Sequence, residues 1–173
     1  MGVSDDKIII KPVDVDFEFI KKYEPHLDLH NLYPRRKIYL VLGRLDPVKN
    51  ILWMVELFEH VSQKNMDVLL LVVGEGSEKR KIENLIKRYN LENNIKIENW
   101  TNDPISYLRT ADCLLFPSLR ESYGLVVMEA QAVGTPIIMS DVGVANYELK
   151  ASEKVKILPV NDKEKWMKAI LSI

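Results

Sequence analysis

The chain has 173 residues, 47% of them hydrophobic and 28% charged, with a formal net charge of −1. That is room for one full domain and short of two, in the composition range of an ordinary globular protein. The near-neutral balance excludes a bulk basic field for nucleic acid, and the single cysteine, Cys113, excludes an internal disulfide.

No purely apolar run approaches the roughly 20 residues that cross a bilayer, and Met1–Lys11 lacks the apolar stretch of a signal peptide. The expectation is a cytoplasmic chain, with peripheral attachment at the inner face of a membrane left open. Residues 1–36 read as a leading segment without a core of its own. They hold one strand candidate, Ile8–Lys11, and one helix candidate, Phe17–Tyr23.

From Lys37 onward, strands and helices take turns. Lys37–Leu42 is β-rich and ends at Gly43, and Ile51–Val61 has helical spacing with Asn50 as its expected N-cap. Val68–Val73 is a continuous apolar run, as in a strand buried on both faces. Ser77–Tyr89 is an amphipathic helix with Ile82, Leu85 and Ile86 as its buried stripe, and Ile95–Glu98 is a short strand. Asp103-Pro104 opens a helix with a capping acid and a proline at the first helical position. Strand Cys113–Pro117, helix Gly124–Val133, strands Pro136–Met139 and Lys156–Pro159, and a helix from Asp162 complete the series. Such alternation specifies an α/β fold, a Rossmann-like parallel sheet with helices on both faces, spanning residues 37–173. The two ends read as those of one domain cut from a longer chain.

Ligands of an open parallel sheet bind at the carboxyl ends of its strands. After the first strand, Gly43-Arg44-Leu45-Asp46-Pro47-Val48-Lys49 places a turn-forming glycine beside two cations that could grip phosphate, although solvated surface charges fit the loop equally well. Gly74-Glu75-Gly76 begins a dinucleotide fingerprint, but Lys79 stands in place of its third glycine, so a tight strand-to-helix turn is the simpler reading. Trp100, in the loop after the third strand, can be packing or a platform for a base.

The fourth loop runs from Pro117 to a helix start near Gly124. Unpaired N–H groups at a helix start seat anions, and the glycine allows close backbone approach. Glu121 precedes this helix and Glu129 lies about 7–8 Å along its axis. Two carboxylates flanking an anion seat match the order sugar, diphosphate, ribose, because carboxylates accept hydrogen bonds from vicinal hydroxyls. Spacing alone also allows a surface acid and a helix-start charge.

The run Arg120-Glu121-Ser122-Tyr123-Gly124-Leu125-Val126-Val127-Met128-Glu129-Ala130, followed by Gly134-Thr135-Pro136, resembles the E-x7-E motif of glycosyltransferase family 4. Gly43-Arg44-Leu45 with Lys49-Asn50, and Val72-Val73-Gly74-Glu75-Gly76, resemble two further loops of that family in the same order, and Val13-Asp14 with Phe17 resembles the start of its C-terminal domain. The resemblance implies the C-terminal, donor-binding half of a two-domain GT-B enzyme of retaining mechanism that uses no metal. The N-terminal acceptor domain is then absent from this chain. By position, Arg44 and Lys49 would hold the diphosphate, Glu121 the donor sugar and Glu129 the ribose. Gly43, Gly74, Trp100, Ser122, Tyr123, Gly124 and Leu125 would complete the donor site. The implied substrate is a UDP-, GDP- or ADP-sugar and the acceptor a glycan or lipid-linked glycan. A non-catalytic nucleotide-sugar-binding subunit and a GT-B-type epimerase are the alternatives. Ser122, Asn99 and Gly143-Val144 depart from the family's usual residues. Asp14-Val15-Asp16 spells a metal motif of another glycosyltransferase class, but before a helix it reads as a cap. His26, His30 and His60 lack ligand spacing.

Overall fold

The computed structural model describes residues 15–143 and 149–173. The strand expected at Ile8–Lys11, the Val13-Asp14 pair and Val144 lie outside the described residues. In chain order the elements are α1 (Phe17–Lys22), α2 (Leu29–Leu32), β1 (Lys37–Leu42), a 3-10 turn (Pro47–Lys49), α3 (Ile51–Lys64), β2 (Val68–Val73), α4 (Lys79–Arg88) and β3 (Ile95–Glu98). There follow α5 (Pro104–Thr110), β4 (Cys113–Phe116), α6 (Leu125–Val133), β5 (Ile137–Ser140), β6 (Val155–Leu158) and α7 (Lys163–Ile170). The strands form one parallel sheet in the order β3-β2-β1-β4-β5-β6.

Each central strand is buried on both faces because its side chains divide between two cores. Tyr39, Val41, Leu70 and Val72 meet α3, α4 and α7 on one side. Ile38, Leu40, Leu69 and Leu71 join the buried faces of α1, α2, α5 and α6 on the other. This is the two-sided cover that a doubly wound parallel sheet requires. Every residue of β2 is buried, as its unbroken apolar run predicts.

The caps follow the expected chemistry with one exception. Asp16 accepts from Phe19 N at 2.9 Å, Asp103 from Ser106 N at 3.1 Å and Asp162 from Lys165 N at 3.0 Å. Asn50 stands at the start of α3 but makes no side-chain cap. The 3-10 turn Pro47–Lys49 feeds directly into α3, which forces Asn50 to a left-handed φ of 57° and leaves its Nδ2 buried without a partner. That turn and α2 are each under two turns long, too short for a periodic signal.

The boundary expected at residue 37 divides the sequence but not the core. Leu29 is fully buried and Ile20 nearly so, both within the second core. Arg109 Nη2 donates to the carbonyls of Ile20, at 3.0 Å, and Lys21. His26 N and Leu29 N donate to Ser106 Oγ at 2.8 Å and Thr110 Oγ1 at 3.3 Å. α1 and α2 thus pack on the second core, against α5.

Candidate functional site

The winding of the sheet reverses between β1 and β4, and a crevice opens where the chains leaving these two strands part. A cavity of about 450 Å³ occupies it. The loop after β1 contributes Gly43, Arg44 and Lys49, the loop after β3 contributes Trp100 and Thr101, and the loop and first turns around α6 contribute Glu121 through Val126 and Glu129. Residues expected from three separate stretches of sequence therefore share one cavity.

Gly124 sets the shape of the floor. It stands before α6 with φ 97°, a left-handed conformation in which a side chain is strained. The first backbone bond of the helix is from Val127 N to Gly124 O at 2.9 Å, so the amides of Leu125 and Val126 precede the helical ladder. The positive end of α6 opens on the cavity that these two residues line.

The cations are held in different ways. Arg44 is mostly exposed and its Nη1 pairs with Asp46 Oδ2 at 2.9 Å, while Asp46 Oδ1 accepts from Ser77 N and Oγ at 3.3 and 3.2 Å. Lys49 is instead largely enclosed. Its ammonium pairs with Glu121 Oε2 and lies 5.2 Å from the centre of the Phe116 ring, a cation–π distance. Glu121 Oε1 accepts from Ser122 N at 3.2 Å. The first carboxylate of the motif is therefore paired with one of the two expected diphosphate-binding cations.

Glu129 differs in kind. It is half-buried, lines the cavity, and makes no hydrogen bond or ion pair with the described residues. Burial raises its pKa above the ordinary glutamate value. An unpaired acceptor facing an open cavity is available to a hydroxyl-bearing ligand. Trp100, 59% exposed, and Leu125, 45% exposed, give the cavity an apolar rim, so Trp100 is not a packing residue. Tyr123 and Ser122 line the same space.

Gly74 stands apart from the cavity lining. A Cβ there would lie 1.9 Å from Gly43 O, and one at Gly76 would lie 2.5 Å from Leu45 O. Leu45 N donates to Glu75 O and Glu78 N to Leu45 O, both at 2.8 Å. The Gly-x-Gly turn is a close backbone approach that supports the Gly43–Leu45 loop. Sequence reasoning missed Asp46 and Phe116, which hold the two cations. Both could have been found by their places, two residues after Arg44 and at the last position of β4.

A doubly wound α/β domain with a cation-lined helix start at its switch point is the class that fold and cavity define. Within that class the chain belongs to the family of glycosyl transferases group 1, whose model matches residues 24–173. It is 27% identical over 177 residues to the UDP-Gal:alpha-D-GlcNAc-diphosphoundecaprenol alpha-1,3-galactosyltransferase of Escherichia coli, covering 96% of this chain and 45% of that protein. Two solved structures share the fold. The Anabaena protein HepE in complex with UDP-glucose superposes with a TM-score of 0.79 at 20% identity, covering 91% of this chain and 45% of that one. The C-terminal domain of the group 1 glycosyl transferase LpcC from Francisella tularensis gives 0.78 at 19% identity, covering 92% and 87%. The chain spans less than half the length of the curated relatives it matches. No helix among the described residues is long and apolar enough to cross a membrane.

Proposed function

We propose that this chain is the donor-binding, C-terminal half of a GT-B enzyme of glycosyltransferase family 4. In this reading it presents a nucleoside diphosphate sugar for retaining transfer to a glycan or lipid-linked acceptor held by an N-terminal domain. The observation that carries the reading is the shared cavity, in which Arg44, Lys49, the start of α6, Glu121 and Glu129 converge. In glycosyl transfer, negative charge develops on the departing diphosphate, and fixed cations and helix N–H groups aimed at it lower the barrier. Arg44, anchored by Asp46, and Lys49, once released from Glu121, supply that charge without a divalent metal. Glu121 then accepts from the donor sugar and Glu129 from the ribose hydroxyls. The near-neutral chain, with a UDP-sugar-named relative acting on a diphosphoundecaprenol substrate, fits a protein working in the cytoplasm beside the membrane.

Isothermal calorimetry with UDP-, GDP- and ADP-sugars, paired with a labelled-donor transfer assay, tests this. The 173-residue chain is expected to bind one of the three and to transfer little or nothing until an acceptor-domain partner is added. Binding without transfer even in that partner's presence would favour a non-catalytic subunit, and an epimerised labelled sugar would favour an epimerase. No binding of any donor would overturn the reading.

A further inference from the structure

Glu121 sits in a slot that its own stretch of sequence does not build alone. Its carboxylate pairs with Lys49, and its side-chain stem passes between two glycines. A Cβ on Gly124 would stand 3.6 Å from Glu121 Cγ and 3.5 Å from Phe116 Cζ, ordinary contact distances. The other wall is tighter. A Cβ on Gly143, in the loop after β5, would stand 3.1 Å from both Cβ and Cγ of Glu121 and 2.7 Å from the carbonyl oxygen of Tyr123. A carbon that close to a backbone oxygen forces one of the two loops to move. Gly143 also has a φ of 61°, in the left-handed region that favours glycine.

Hydrogen bonds hold the two loops at this separation. Ser140, the last residue of β5 and 1% exposed, shares its hydroxyl between the carbonyls of Ser118, at 2.5 Å, and Phe116, at 3.3 Å. Both carbonyls belong to the chain that leaves β4 toward Glu121. Leu119 N donates to Val48 O at 2.8 Å, next to Lys49. The segment that carries Glu121 is thus laced to the loop after β5 on one side and to the Lys49 loop on the other. A glutamate side chain is rich in rotamers, and ordering it at the moment of binding carries an entropy cost. Packing its stem between two backbones removes that freedom in advance.

We propose that Gly143, with Ser140 behind it, is a positioning residue for Glu121. The loop after β5 sets where the carboxylate points and, through it, how well the site tells a nucleotide sugar from the bare nucleoside diphosphate. The inference deepens the donor-site reading and rests on it.

The test measures binding of UDP, GDP and ADP and of their sugars to the full chain by calorimetry. The readout is the affinity for nucleotide sugar relative to that for the bare diphosphate of the preferred base. Gly143→Ala is expected to lower this ratio about three- to tenfold, the worth of one hydrogen bond. Bare diphosphate should bind as tightly as before or more tightly, because Lys49 is less firmly held by a displaced Glu121. Ser140→Ala, which adds no atom to the slot, should move the ratio the same way by less. In a Glu121→Ala background, where the ratio is already lowered, neither change should alter it further. A parallel loss of sugar and bare diphosphate, the mark of a merely loosened fold, would overturn the inference. So would an unchanged ratio in Gly143→Ala, or an equal fall in the Glu121→Ala background, and each of these outcomes leaves the donor site standing. If Glu121→Ala alone left the ratio untouched, the sugar contact assigned to Glu121 would fall, and the inference with it.

Discussion

Glu129 is a single side chain whose ionised form works against the fold. Burial raises its pKa, so in the folded chain the ionised form is the disfavoured one. Below the ordinary glutamate pKa the carboxyl is protonated in folded and unfolded chains alike, and no penalty exists. As pH rises through the raised folded-state value, that relative stability is lost. Glu129→Gln is therefore expected to raise Tm at pH 7 by roughly 1–3 °C and to leave it unchanged near pH ~3.5. The same substitution should weaken nucleoside binding, because an amide accepts hydroxyl bonds less well than a carboxylate. Calorimetric melts at the two pH values decide the first point, and an equal gain at both would rule out ionisation as its cause.

At the scale of elements, the loop after β1 is shaped by its neighbour. Gly74 has a φ of 153° and Gly43 O would stand 1.9 Å from any Cβ placed on it. Gly74→Ala should cost about 2–4 kcal/mol in urea unfolding and also displace Arg44, weakening diphosphate binding in whatever fraction stays folded. A near-neutral substitution would show that the two loops do not pack as described. β1, β2 and β3 fall on the predicted residues: β2, buried throughout, reads as an unbroken apolar run, β1 as one after Lys37, whereas β3 is an edge strand, Ile-Lys-Ile-Glu, with only Ile95 buried. α3 runs three residues past its expected end, to Lys64, and α4 starts two residues later and ends one residue earlier than expected. The site was legible as a set of residue types after strands, which is why Arg44, Lys49, Glu121 and Glu129 reach one cavity. What sequence cannot show is who pairs with whom. Lys49 and Glu121 are 72 positions apart, and Lys79 opens α4 while Asn99 follows β3, so both contacts emerge only when the sheet is wound.

For the whole molecule, the strand order matters most. The reversal between β1 and β4 places the Arg44 loop and the α6 start on opposite lips of one crevice, so the cavity exists only in the folded chain. A ligand confined to that crevice binds the folded state alone. A donor present at 100 times its dissociation constant should add about 2.7 kcal/mol of stability, a rise in Tm of roughly 5–10 °C. A thermal-shift panel of UDP-, GDP- and ADP-sugars should thus single out the base, and equal small shifts for all three would mean that the crevice does not select among them. The ion pair inside it has a consequence for the proposed function. In that reading Lys49 binds a diphosphate only by leaving Glu121, so an arriving donor would displace a carboxylate that returns as the spent nucleotide departs. Glu121 would then compete with product for Lys49. Glu121→Gln should hold bare nucleoside diphosphate more tightly and release it more slowly than the natural chain, a penalty on cycling that stopped-flow displacement would read directly.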